Sequence, residues 1–187
     1  GNASGNNVKY YLNGSLSGST TLSSAAPNAN SNMQLRMGYR NDGGIQNPYN
    51  GILDQVRIFN KELSSSEVTT LYNETSSTVD TLQILGDTSC IATYRFEGNA
   101  NDLSTNYNGT ASNIIYDYSG TADSNVTYST GKFGKAAVFT GVGGASGPGN
   151  TGLITLPDNS NFDLGASTSL SFWAKRTSTT CHLINKG

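Results

Sequence analysis

The chain has 187 residues and 19.6 kDa, a formal net charge of −2 and only 13% charged residues, so its solubility rests on abundant Gly, Ser, Thr and Asn. That length admits one sizeable sandwich core or two smaller units, but not two complete large domains. There is no Lys/Arg cluster, which argues against nucleic-acid and anionic-membrane partners, and no apolar run near the roughly 18 residues of a spanning helix.

The pattern is all-β with one helix. Val8, Tyr10 and Leu12 alternate on one predicted face and lead into Asn13-Gly14, the strongest two-residue hairpin signal, before Ser15-Leu-Ser-Gly18. Residues 19–32 read as a loop, and Met33 to Tyr39 as a second alternating segment. A turn-rich run from Arg40 to Asn50 precedes a strand over Ile52 to Phe59. Simple alternation there puts Ile52, Asp54, Val56 and Ile58 on one face and Leu53, Gln55, Arg57 and Phe59 on the other. A short helix follows: Ser64 and Glu67 make a capping box, Leu63 and Val68 a hydrophobic staple, and Val68, Leu71 and Tyr72 an apolar stripe.

From Asn73 to Asp87 the composition turns to Ser, Thr and Asp around Leu82-Gln-Ile-Leu85, which suggests a connector with a small strand. Cys90 to Glu97, Phe133 to Phe139, Leu153 to Leu156 and Leu170 to Ala174 form a second series of strands. The segment Gly141 to Gly152 carries six glycines and reads as a loop tip. Residues 1–78 and 90–187, joined by a connector at 79–89, show no internal repeat. The start, Gly1 to Asn6, matches no signal or transit peptide, so any export address is expected to be removed or to lie outside the chain.

The two cysteines, Cys90 and Cys181, lie beside predicted strands and could form one inter-strand disulfide or stay as two buried thiols. Five Asn-x-Ser/Thr triplets begin at Asn2, Asn13, Asn73, Asn108 and Asn125, and in a chain this rich in Asn, Ser and Thr most are expected from composition alone.

Several runs together resemble the laminin G-like, concanavalin A-type jelly-roll family in its bacterial and phage form. They are Tyr10-Tyr-Leu-Asn-Gly-Ser15, Asn50 to Asn60 with Leu63 to Tyr72, Tyr94 to Asp102, Gly131 to Phe139, and Ser169-Leu-Ser-Phe-Trp-Ala174. In that family the pieces like Tyr94–Asp102 and Gly131–Phe139 open the domain, and those like the Asn-Gly hairpin and Asn50–Asn60 close it. In this chain the closing half, 1–78, precedes the opening half, 90–187, and the family's middle strands are absent. A window from a tandem array, a circular permutation, or halves completed by neighbouring chains would each give that order. Exposed sheet edges disfavour an open half-sandwich, so closure of the two halves on each other is expected.

The resemblance implies a jelly-roll β-sandwich acting as a non-enzymatic adhesion or glycan-binding module on an extracellular or virion surface, such as a phage tail fibre. A filament protomer built by complementation between chains is the alternative. The family's matching Asp often helps hold a structural Ca²⁺, which on this chain would draw on Asp54, Glu97, Asn99 and Asp102, hard oxygen donors of the kind Ca²⁺ takes. The simpler reading is that Asp54 caps backbone amides and Asp102 starts a turn. A glycan would be met by Tyr39, Arg40, Asn41, Asp42, Asn47 and Tyr49, and less completely by Asn106 to Asn108, although such loops are ordinary in any sandwich. Trp173 is assigned to core or inter-sheet packing.

Enzyme chemistry finds little support. A glycosidase needs two carboxylates about 5–10 Å apart, and no tight acidic cluster marks them. His182, the single histidine, stands next to Cys181, so on a strand the two would point to opposite faces.

Overall fold

The computed structural model describes residues 7–21, 34–38, 48–75, 81–114, 126–140, 151–162, 167–177 and 181–186. These form a jelly-roll type of β-sandwich, with antiparallel sheets and one short α-helix.

Strands β1 (Asn7–Leu12) and β2 (Ser15–Thr21) pair as a hairpin. Asn13 (φ 50°) and Gly14 (φ 77°) both adopt the left-handed conformation that the tight turn requires. The register slips beside Tyr10 and Tyr11, where Ser17 of β2 is left without a partner; Val8 and Tyr11 are half-buried while Tyr10 and Leu12 are 52% and 66% exposed. The buried positions of β1 therefore differ from the predicted Val8–Tyr10–Leu12 face, next to a bulge in the partner strand. Lys9 Nζ reaches Glu62 at 2.6 Å, and Gly14 backs onto the Tyr72 ring, where a Cβ would come within 2.9 Å.

The remaining elements are β3 (Leu35–Met37), β4 (Gly51–Phe59), α1 (Ser65–Tyr72), β5 (Cys90–Tyr94), β6 (Thr110–Ile114), β7 (Thr127–Thr130), β8 (Lys135–Phe139), β9 (Thr151–Thr155), β10 (Ser169–Arg176) and β11 (Ile184–Lys186). One sheet runs β10-β4-β8-β7, with β5 also on β4; the other runs β11-β3-β9-β6. β10 lines one edge of β4, while β5 and β8 share its opposite edge. Leu53, Val56, Ile58, Tyr94 and Phe139 from the first sheet meet Leu35, Met37, Ile154 and the adjoining Leu156 from the second. Each such side chain, removed from water, contributes roughly 1.5–3 kcal/mol.

β4 does not alternate simply. Gln55 has φ 50°, and the register on β10 slips so that Gln55 and Val56 together face the single residue Phe172. This bulge lets Leu53 and Val56 both enter the core and turns Asp54 outward with Arg57 and Phe59, correcting the face that strict alternation assigns to Asp54.

The outward face is covered by α1. Its capping box forms as predicted: Glu67 N–H donates to Ser64 Oγ at 3.3 Å, and Ser64 N–H donates to Glu67 Oε2 at 2.8 Å. Phe59, Leu63, Leu71 and Cys90 make a second apolar cluster, joined by Val68, Leu82, Ile84 and Leu85. Residues 82–85 form a turn and not the expected strand, because a turn can lay all three apolar side chains on one patch and an alternating strand cannot.

Cys90 sits in this outer cluster and Cys181 packs against the inter-sheet core, so the candidate disulfide is not formed and both thiols are free. Cys181 and His182 precede β11 and do not lie on it.

Gly38 has φ 94°, and an added Cβ would enter the Phe139 ring. Gly38→Ala is expected to destabilise the fold by about 2–4 kcal/mol, combining backbone strain with overpacking. A urea-unfolding midpoint unchanged from the parent protein would contradict this.

Candidate functional site

The bulge brings Asp54 to the turn between β7 and β8, Gly131-Lys-Phe-Gly-Lys135. Asp54 Oδ2 accepts from Phe133 N–H at 2.9 Å, and the amides of Lys132 and Gln55 also face this carboxylate. On the same turn both oxygens of Glu97 accept from Lys135 N–H, at 3.2 and 3.1 Å. Gly131 N–H closes the turn on Gly134 O at 3.0 Å. The glycines at its ends are spatial requirements: a Cβ on Gly131 would lie 2.5 Å from Asp54 Oδ2, and one on Gly134 would strike Glu97.

Burial is the largest influence on Asp54 and pushes its carboxyl above the ordinary value of 3.8, with backbone donors opposing and the charge of Glu97 assisting. Asp54 is 2% exposed, and its second oxygen, Oδ1, has no hydrogen-bond partner among the described residues.

The four residues expected to hold Ca²⁺ do not form one coordination sphere. Asp102 Oδ1 accepts from Thr93 N–H at 2.8 Å and its Oδ2 from Ser104 Oγ–H, while Asn99 Oδ1 accepts from Asn101 N–H at 2.9 Å. Asp54 Oδ2 and both Glu97 oxygens accept from backbone amides of the β7–β8 turn. Asp54 Oδ1 alone is open, and no group of three metal-binding side chains exists among the described residues. Among the described residues the four side chains thus give no ready-made cage of the kind a hard cation takes.

Of the expected glycan loop, Tyr39, Arg40, Asn41, Asp42 and Asn47 lie outside the described residues. Tyr49 is fully buried, edge-on to Phe139 with centroids 5.7 Å apart, and its hydroxyl donates to Ile52 O at 2.9 Å. Burial pushes its phenol up to about 12. It is a core residue and offers no stacking face, which corrects its assignment to the ligand. Tyr107 is likewise engaged, edge-on to Phe162 at 4.9 Å with its hydroxyl accepting from Asn161 Nδ2 at 2.6 Å.

The outward face holds a different cluster. Trp173 stands opposite Asp54 across β10 and β4, outside the inter-sheet core to which the sequence assigns it. Its ring packs against Tyr72 (5.5 Å, 31°) and meets Phe133 edge-on (6.4 Å, 81°), while Lys132 Nζ lies 4.6 Å from its centroid. Trp173 Nε1–H donates to Glu74 Oε1 at 2.8 Å. Glu74 Oε2 in turn contacts Arg57 Nη2 at 2.7 Å, both side chains being 1% exposed. Arg57 Nη2 also donates to Gln55 Oε1 at 3.3 Å. The period-two rule carried the signal: Leu170 packs against the inter-sheet core, and Trp173, three positions on, falls on the opposite face.

The conserving of charge in this buried network makes it sensitive to loss of one member. Glu74→Gln leaves Arg57 without a counter-charge and is expected to cost about 3 kcal/mol in denaturant unfolding. The emission of Trp173, the chain's single tryptophan, should shift with it; an unaltered midpoint would exclude the network as a stabilising feature.

Asp54 has a pH signature. Because its folded value lies above its unfolded one, its contribution is fully present below about 3.8 and is lost as pH rises through the folded value. Asp54→Asn removes the ionisation, so the variant's melting temperature relative to the parent should climb between about pH 3 and pH 7. Parallel melting curves across that range would show that Asp54 is not perturbed.

Residues 1–69, which contain the hairpin, β3, β4 and the first part of α1, match the family model described as the concanavalin A-like lectin/glucanases superfamily. No curated protein and no solved structure matches the chain.

Proposed function

We propose that the chain is a non-catalytic carbohydrate-binding or adhesion module acting at an extracellular or virion surface. The observation that carries this reading is the match of residues 1–69 to the concanavalin A-like lectin/glucanases superfamily, on the segments that form the hairpin and the central strand. The disposition of the acids supports binding without catalysis. Asp54, Glu97 and Asp102 each have carboxylate oxygens committed to backbone amides of their own fold, whereas a glycosidase needs two carboxyl groups directed at one bond.

A second reading, a filament or fibre protomer, is favoured by one feature: Tyr10, Leu12 and Leu16 of the hairpin are all more than half exposed, at 52%, 66% and 58%. Strand β10 also ends its sheet without a further neighbour among the described residues. Such edges recruit strands from like chains unless they are protected.

Two measurements decide between these readings. Retention of the labelled chain on a glycan array, with a monomer mass by light scattering, is the expected result. Concentration-dependent assembly with no glycan retained would replace the binding module with the filament protomer.

A further inference from the structure

The geometry points to a specific sugar subsite on the outward face of β10: the indole of Trp173 is a stacking platform covered by Lys132, and an acidic sugar displaces the lysine and pairs with it. This rests on the carbohydrate-binding reading above and adds the site, the residues and the ligand class.

The platform is held in place before any ligand arrives. Nε1–H of Trp173 donates to Glu74, and Glu74 is itself fixed by the buried Arg57, so turning the ring would break a hydrogen bond to an immobilised carboxylate. Tyr72 supports it at 5.5 Å and Phe133 buttresses it edge-on at 6.4 Å. A rigid aromatic ring has little ordering entropy left to lose on binding, the property that makes an aromatic side chain an effective anchor.

The cover is weakly held by comparison. Lys132 is exposed, on the turn that Asp54 and Glu97 clamp, and its ammonium sits over Trp173 at 4.6 Å and near Phe133 at 5.7 Å. An exposed cation–π contact is worth only about 0.5–1 kcal/mol, so the C–H face of a pyranose can replace it. The backbone of Lys132 stays in the clamped turn, and the displaced ammonium remains within reach of the bound ring. Lys175, two residues along β10 from Trp173, is exposed on the same face and adds a second positive charge. A sugar bearing a carboxylate therefore fits this face better than its neutral counterpart.

Because Trp173 is the chain's single tryptophan, its fluorescence reports this site alone. The test is a titration of the full chain with a galacturonic acid trisaccharide and, separately, a galactose trisaccharide, following tryptophan emission. The expected result is a saturable change with the acidic probe, weakened by added salt, and tighter than with the neutral one. Lys132→Gln should lose about two- to fivefold in affinity for the acidic probe, the worth of an exposed ion pair, while binding the neutral probe at least as well as the parent. That crossed effect would not arise from simple damage to the fold, and Lys132→Gln keeps the tryptophan reporter where Trp173→Ala would not. Glycans retained on the array with no tryptophan response, or equal losses for both probes, would overturn the subsite and leave the carbohydrate-binding reading standing. Failure to bind any sugar by either method would overturn both.

Discussion

Strand β4 is the constraint on which the rest of the molecule depends. It lies between β10 on one side and β5 and β8 on the other, and its bulge at Gln55 decides what faces the core. Without the bulge, Leu53 and Val56 could not both point inward, and Asp54 would be carried into an apolar interior at a cost no partner offsets. With it, three polar residues in succession along the outer face, Asp54, Gln55 and Arg57, acquire separate tasks. Asp54 gathers the β7–β8 turn, while Gln55 and Arg57 build the polar layer beneath Glu74 and Trp173. Fold and candidate site thus share one irregularity.

The sequence was most legible where a backbone requirement admits few residue types. Asn13-Gly14 supplies two left-handed positions, and Ser64 with Glu67 satisfies reciprocal amides at a helix start; both elements formed where local chemistry placed them. Family-like motifs in both parts of the chain also anticipated the sandwich architecture. The bulges at Ser17 and at Gln55 were not legible, because they depend on how a partner strand lies and leave no mark in the period of the bulged strand. β6 and β7, Thr110–Ile114 and Thr127–Thr130, are largely polar sheet-edge strands whose order comes from pairing and not from a buried face, so no alternating pattern announces them.

The site shows the same division. The Gly-Lys-Phe-Gly run was visible as a motif, but its meaning was spatial: glycines leave room for two carboxylates that arrive from β4 and from the segment after β5. Four residues carry the oxygen donors a cation takes, but residue type alone does not show that Asp102 and Asn99 accept from nearby backbone amides. Strand alternation alone does not tell which of the two sheet faces Trp173 takes. A buried carboxylate reaching its indole nitrogen from the end of α1 gave the outer face an equally ordered environment.

The pairing of β4 with β10 also sets the order in which the chain can acquire structure. Groups they bring together, such as Leu63 with Ser169 and Asn50 with Thr177, are 106 and 127 positions apart. A loop of that length closes slowly, and non-local strand pairing is the slow class of folding event. The hairpin and α1 can form early from local signals, but the bulged strand between them must wait, with Leu53, Val56 and Ile58 uncovered, until its partners arrive. During that interval the nascent chain is at its most vulnerable to association with its own copies.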